Sequence, residues 1–205
     1  LITFFVIIEL YTSKFITSIF DLIILILFIL LFPLIYINNK IIFYLNFFLI
    51  FFVLINIFFS NFYLKKIFLL SILIFLHNFF VFIYLDRNLL YLTIMVSFFN
   101  DTIAYIFGKL FKGPLIMPSV SPNKTWSGTI ISFTLSLFLI YQFNISILLV
   151  CFLSISLFFG DIYFSYIKRK VIIKDFSNFL KGHGGILDRL DSMFFFSITI
   201  IYIFI

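Results

Sequence analysis

The sequence predicts an all-α fold, a polytopic integral membrane helical bundle of about seven transmembrane segments with two cytoplasmic polar loops forming one site. Three observations predict it. Hydrophobic residues make up 64% of the 205 positions and charged residues only 11%, more apolar surface than a soluble fold can bury. The apolar residues come in runs near the ~20 residues that a helix needs to cross hydrocarbon. The charges gather between those runs, above all in Gly160 to Ser192, which holds four of the eight acidic and six of the fourteen basic side chains.

Residues 1–13 are apolar but short for a span, and they contain Glu9. After Lys14 come the runs 15–37, 41–64 and 67–85, separated by Asn38-Asn39-Lys40 and by Lys65-Lys66. Asp86 and Arg87 precede 89–107, which leads into a polar loop at 108–127. Residues 128–143 and 145–160 form a pair turning at 142–144, the second polar stretch fills 161–192, and 193–205 is the last run. The whole is one transmembrane domain: 1–107 as membrane helices, 108–192 as catalytic loops with an intervening helix pair, and 193–205 as a final helix.

With both polar loops in the cytoplasm, alternation places twelve of the fourteen basic residues there and leaves Lys40 and Arg87 outside. That asymmetry is the positive-inside pattern, and it accounts for the net charge of +6 without nucleic acid as a partner. Cys151 is the only cysteine, so neither a disulfide framework nor a thiolate metal cluster is expected. No cationic stretch with a short apolar core and small-residue cleavage site opens the sequence, so no removable leader is expected.

Asp161, Asp175, Asp188 and Asp191 sit at the membrane surface, where carboxylates are costly and usually meet a cation. Oxygen ligands suit Mg²⁺, and Asp161 and Asp175 are the metal candidates. Asp188 and Asp191, three apart, serve equally well as partners of a helix dipole and Arg189. Lys168, Arg169, Lys170, Lys174 and Lys181 surround them, with Lys109, Lys112 and Lys124 in the other loop. Such cations suit a polyphosphate or lipid phosphate, or anionic headgroups alone.

Gly182-His183-Gly184-Gly185 offers backbone N–H groups to an anion. Asp101, Ala104, Tyr105 and Gly108 share one helix face, and an intramembrane aspartate suggests function. His77, beside Asn78, suits packing between helices. In the first polar loop, Pro118 and Pro122 stiffen the chain, Ser121 and Thr125 supply hydroxyls, Lys124 a charge and Trp126 an interfacial anchor.

These residues resemble the bacterial-type phosphatidate cytidylyltransferase (CDP-diacylglycerol synthase) family. Its signature appears as Ser165, Lys168-Arg169, Lys174-Asp175, His183-Gly184-Gly185, Asp188-Arg189 and Asp191, with Gly160-Asp161, Asp101 to Tyr105 and Ser121 to Trp126 upstream. The resemblance implies transfer of a cytidylyl group from CTP to phosphatidic acid at the inner membrane of a bacterial cell. It implies catalytic roles for Asp161, Lys174, Asp175, His183, Asp188 and Arg189, with Mg²⁺ on Asp161 and Asp175 and room for a second, monovalent cation. Substrate contacts would come from Asp101, Ser121, Lys124, Thr125, Ser165, Lys168, Arg169, Gly184 and Gly185. The expected partners are CTP, phosphatidic acid and the lipid bilayer, with a homodimer allowed.

Ser127 and Phe164 stand where the family has glutamate, and Lys181 where it has proline. If positions 127 and 164 both point toward the site, it is expected to be less negative than in its relatives and to need more added Mg²⁺; the alternative is that both are helix contacts outside it. The rival readings are a transporter or channel using Asp101 and His77 as relay groups, an assembly subunit, and a weakened relic of the enzyme.

Overall fold

The computed structural model describes residues 2–13, 15–16, 21, 23, 25–26, 39–58, 61–85, 87–143, 145–177 and 184–204. Among them the chain forms helices α1 (Ile2–Thr12), α2 (Asn39–Phe58), α3 (Asn61–Leu85) and α4 (Arg87–Phe111). Strands β1 (Leu115–Met117) and β2 (Ser121–Thr125) follow, then α5 (Trp126–Tyr141), α6 (Ile147–Lys170), the single turn α7 (Leu187–Leu190) and α8 (Met193–Phe204). The expected run 15–37 lies mostly outside the described residues, and Lys14, Asp86, Asn144, Lys181, Gly182 and His183 lie outside them too. Among the described residues, three helices are long and apolar enough to cross a membrane: the Leu64–Ile83 part of α3, α4 and α6. Helices α5 and α8 are apolar but shorter.

The expected element boundaries need three corrections. Lys65 and Lys66 do not separate two segments but lie inside α3, since lysine is a good helix former. Residues 161–170 are the end of α6 rather than the start of a loop. Apolar Tyr163, Phe164 and Ile167 continue the buried face there, and Lys168, Arg169 and Lys170 complement the dipole of the last turn. The 108–127 loop contains an antiparallel pair, with Leu115 opposite Thr125 and Met117 opposite Ser121, so the fold is mostly but not purely helical.

Aromatic side chains fill the core. Phe164 of α6 lies with its ring centroid 5.3 Å from both Phe68 of α3 and Phe194 of α8, and Phe75 is 5.3 Å from Phe194. A second cluster joins Leu92 and Val96 of α4, Ile140 of α5, Leu153 and Leu157 of α6, and Ile200 of α8. Within the bundle, Asn78 Nδ2 donates to Asn46 Oδ1 at 2.9 Å and to Ser197 Oγ at 3.2 Å, which ties α2, α3 and α8 together.

Helices α4 and α5 cross where Gly108 meets Gly128, and a methyl group on Gly128 would collide with Ala104 O. This crossing sets the end of β2 and the start of α5 against the face of α4 that carries Asp101.

Candidate active site

Gly160 and Asp161 lie where α6 packs against the backbone that leads into α8. A Cβ on Gly160 would stand 2.6 Å from Asp191 O and 2.9 Å from Ser192 O, so the close approach requires glycine. From the opposite side β2 delivers Lys124, whose Nζ pairs with Asp161 Oδ2. Asp101, Lys124 and Asp161 line one cavity of about 400 Å³ between α4, α5 and α6. Down the helices from these charges the walls turn apolar, with Ile130, Phe133, Ile155 and Phe158. His77 does not line this cavity.

A short chain of hydroxyls supports Asp101. Ser192 Oγ donates to Asp101 Oδ2 at 3.1 Å and lies 2.5 Å from Ser97 Oγ. Sequence reasoning missed both serines. Ser97 is one turn before Asp101 on its face of α4, and Ser192 follows Asp191 directly, so the signals were spacing and adjacency. Asp191 is buried and accepts from Ser192 N at 2.8 Å. Burial pushes its carboxyl well above the usual carboxylate range; Asp161 and Asp101 push the same way, and Lys168 and Lys124 oppose them.

Asp188 belongs to a second cluster. Its Oδ2 accepts from Phe176 N and Gly185 N, each at 2.9 Å, and its Oδ1 accepts from Lys168 Nζ at 2.8 Å. Lys168 is itself buried and lies 4.0 Å from Asp191 Oδ2, so it links the two clusters. Asp188 thus brackets the chain on either side of residues 177–184.

Glu9 of α1, 3% exposed, holds the same stretch from the other side. Its Oε1 accepts from Ser177 Oγ at 2.9 Å and Ile186 N at 2.5 Å, and its Oε2 accepts from Leu187 N at 2.8 Å. A Cβ on Gly185 would lie 2.6 Å from Glu9 Oε1, so glycine admits the carboxylate. The sequence marked Glu9 only as a charge in an apolar run.

The remaining expected residues are placed as follows. Ser121 is half-buried in β2. Thr125 caps α5, its Oγ1 accepting from Gly128 N at 3.3 Å. Ser165 is buried on α6, one turn beyond Asp161. Arg169 is exposed and donates from Nε to Val120 O at 3.0 Å, joining α6 to the hairpin. Lys174, Asp175 and Arg189 are exposed, and Asp175 does not line the cavity that contains Asp161. Gly184 has φ +76°, a left-handed backbone that favours glycine.

Two of the three departures from the family pattern, Ser127 and Phe164, have structural roles here; the third, Lys181, lies outside the described residues. Ser127 Oγ accepts from Gly113 N at 3.2 Å and pairs with Thr125 Oγ1 at 3.2 Å. Phe164 is fully buried in the aromatic core, so the expectation that residue 164 sets the charge facing the substrates is corrected.

Among the described residues no three His, Cys, Asp or Glu side chains are grouped to hold a metal ion. The donor chemistry suits a hard cation completed by substrate phosphates, since Mg²⁺ commonly takes only one or two carboxylates from the protein. The ammonium of Lys124 already lies against Asp161.

The whole chain, residues 1–205, matches the cytidylyltransferase family. The chain belongs to that family. It is similar to the phosphatidate cytidylyltransferase of Rickettsia typhi, 38% identical over 125 residues that cover 53% of this chain and 54% of the relative. The enzyme of the same name from Rickettsia bellii is 40% identical over 113 residues, 45% of this chain and 47% of that one. The one from Staphylococcus haemolyticus is 39% identical over 111 residues, 49% and 43% of the two chains. The chain spans about half the length of these curated relatives. Family membership and the apolar helices together make this a membrane protein with a cytidylyltransferase scaffold.

Proposed function

We propose that the protein is a phosphatidate cytidylyltransferase, converting CTP and phosphatidic acid to CDP-diacylglycerol and pyrophosphate. The observation that carries this reading is the cavity among α4, α5 and α6, charged at Asp101, Lys124 and Asp161 and apolar along Ile130, Phe133 and Phe158. Those walls suit an amphiphile whose phosphate stays among the charges while its chains run along the helices. The names of the similar proteins support the same substrate pair.

In the reaction a phosphate oxygen of the lipid attacks the α-phosphorus of CTP in line. The bond from that phosphorus to the oxygen bridging the β-phosphate breaks, and pyrophosphate leaves with the bond's electrons. Lys124 exchanges Asp161 for a phosphate oxygen. Lys168 holds Asp188 and Asp191 in place, while Arg169, Lys174 and Arg189 face the nucleotide phosphates from solvent. Ser121, Thr125 and Ser165 position the substrates. Mg²⁺, if held by Asp161 and substrate oxygens, would neutralise charge developing on the leaving pyrophosphate. CTP arrives from the cytoplasm, and the lipid enters sideways from the inner membrane.

Purified protein in detergent should incorporate labelled CTP into lipid only when phosphatidic acid and Mg²⁺ are both present. Asp161→Asn should lower the rate by about 10²-fold or more and leave the thermal unfolding midpoint near that of the parent. Absence of CTP-dependent incorporation by the parent, or near-parental activity of Asp161→Asn at limiting Mg²⁺, would overturn the proposal.

A further inference from the structure

The cavity contains a buried donor that the other described residues leave without an acceptor. Ser154 is 2% exposed and lines the cavity from α6, and its Oγ has no hydrogen-bond partner among the described residues. A serine inside a helix commonly returns its hydroxyl to a carbonyl of the preceding turn. Ser156 does so, to Leu153 O at 2.6 Å. On the facing wall Thr129 Oγ1 donates to Thr125 O at 3.0 Å and Ser132 Oγ to Thr129 O at 3.1 Å. Ser154 keeps its proton unshared, with Phe133, Ile155 and Phe158 as fellow lining residues. Buried polar groups in folded proteins are nearly always paired, and an unpaired one calls for an explanation.

Its position along the helix indicates which acceptor would satisfy it. Ser154, Phe158 and Asp161 fall at i, i+4 and i+7 and so share one face of α6. Seven helical residues separate Ser154 from Asp161 by about 10 Å along the axis, away from the charged end and into the apolar body. A glycerolipid with its phosphate at Lys124 brings its ester carbonyls below that phosphate, at the top of the chains. Those carbonyls are neutral and accept without donating, which complements a hydroxyl better than it complements a lysine.

We propose that Ser154 Oγ–H donates to an ester carbonyl of the bound lipid and makes the cavity selective for ester-linked over ether-linked glycerol phosphates. This rests on the reading of the cavity as the lipid site. An ether-linked lipid of equal length fills the same volume but lacks the carbonyl, leaving the buried donor unpaired; sites built around such a donor discriminate against the ligand that lacks its acceptor.

The test compares diacyl and dialkyl glycerol phosphates of equal chain length, in mixed micelles, with the parent protein, Ser154→Ala and Ser154→Thr. The parent should favour the diacyl lipid by about fivefold in kcat/KM. Ser154→Ala should bring the ratio to about one by losing rate on the diacyl lipid alone, and Ser154→Thr, which keeps the hydroxyl, should retain the preference. A parent that does not distinguish the two lipids, or a Ser154→Ala protein with the parental ratio, overturns the inference. Thermal stabilisation of the protein by each lipid reads the same contact without turnover. A preference there that vanishes in Ser154→Ala upholds the ester contact even if no cytidylyl transfer is found, which would count against the proposed function alone.

Discussion

Burying Glu9 is costly unless hydrogen-bond donors replace its lost water, and Ser177, Ile186 and Leu187 supply three. Glu9→Ala leaves those donors facing an apolar hole, at roughly 1–3 kcal/mol for each one left buried and unpaired. The amides of Ile186 and Leu187 should then exchange hydrogen about tenfold faster or more, while amides in the middle of α3 keep their rates. Equal exchange at Ile186 and Leu187 in both proteins would show that the carboxylate does not hold that stretch. Phe164→Glu should behave as a core lesion. The carboxylate would enter the rings of Phe68, Phe176 and Phe194, and an uncompensated buried charge costs about 3–5 kcal/mol. Loss of folded protein is expected; a well-folded variant needing less Mg²⁺ would restore residue 164 to the site. Asp101, Lys124 and Asp161 were legible in the sequence because charges within or beside apolar runs stand out. Glu9 was not, because two of its partners are backbone N–H groups about 180 positions away, and backbone amides leave no mark on sequence.

At the level of elements, hydropathy located helices better than it located their ends. The runs 41–64, 67–85 and 89–107 correspond to α2, α3 and α4, each displaced by a few residues because hydropathy measures transfer to lipid, whereas backbone hydrogen bonding decides where a helix stops. The same difference hid the end of α6, where polar side chains alternate with buried ones on an unbroken helix. The hairpin went unread because Pro118 and Pro122 signal a loop and its strands are only three and five residues long. The crossing of α4 and α5 gives the sharpest test at this scale. Gly128→Val must push α5 away from Ala104 and Gly108, an overpacking cost of about 1–3 kcal/mol. Because Lys124 lies only two residues before the start of α5, cytidylyl transfer should fall further than stability does. Activity that tracks only the folded fraction would deny that this crossing positions Lys124.

For the whole molecule, the distribution of basic residues assigns a sidedness that can be tested. With Cys151 replaced by serine, a cysteine at Ser119 or Lys174 should react with an impermeant thiol reagent only in inside-out vesicles, and one at Phe143 only in right-side-out vesicles. All three positions are exposed, so reactivity reports the side rather than burial; the reverse pattern would invert the topology.

The pairing of Lys124 with Asp161 also has a thermodynamic consequence for ligand binding. Without ligands the two charges cancel, so an anion arriving alone must strip Lys124 from its carboxylate, and a cation arriving alone must displace the ammonium. When both arrive together, one exchange satisfies all four charges. Magnesium and nucleotide should therefore bind with positive cooperativity, each strengthening the other by the same factor, as linkage demands. In Lys124→Met that mutual factor should shrink toward one, because Asp161 then has no internal partner to release; calorimetric titration of each ligand with and without the other measures it directly.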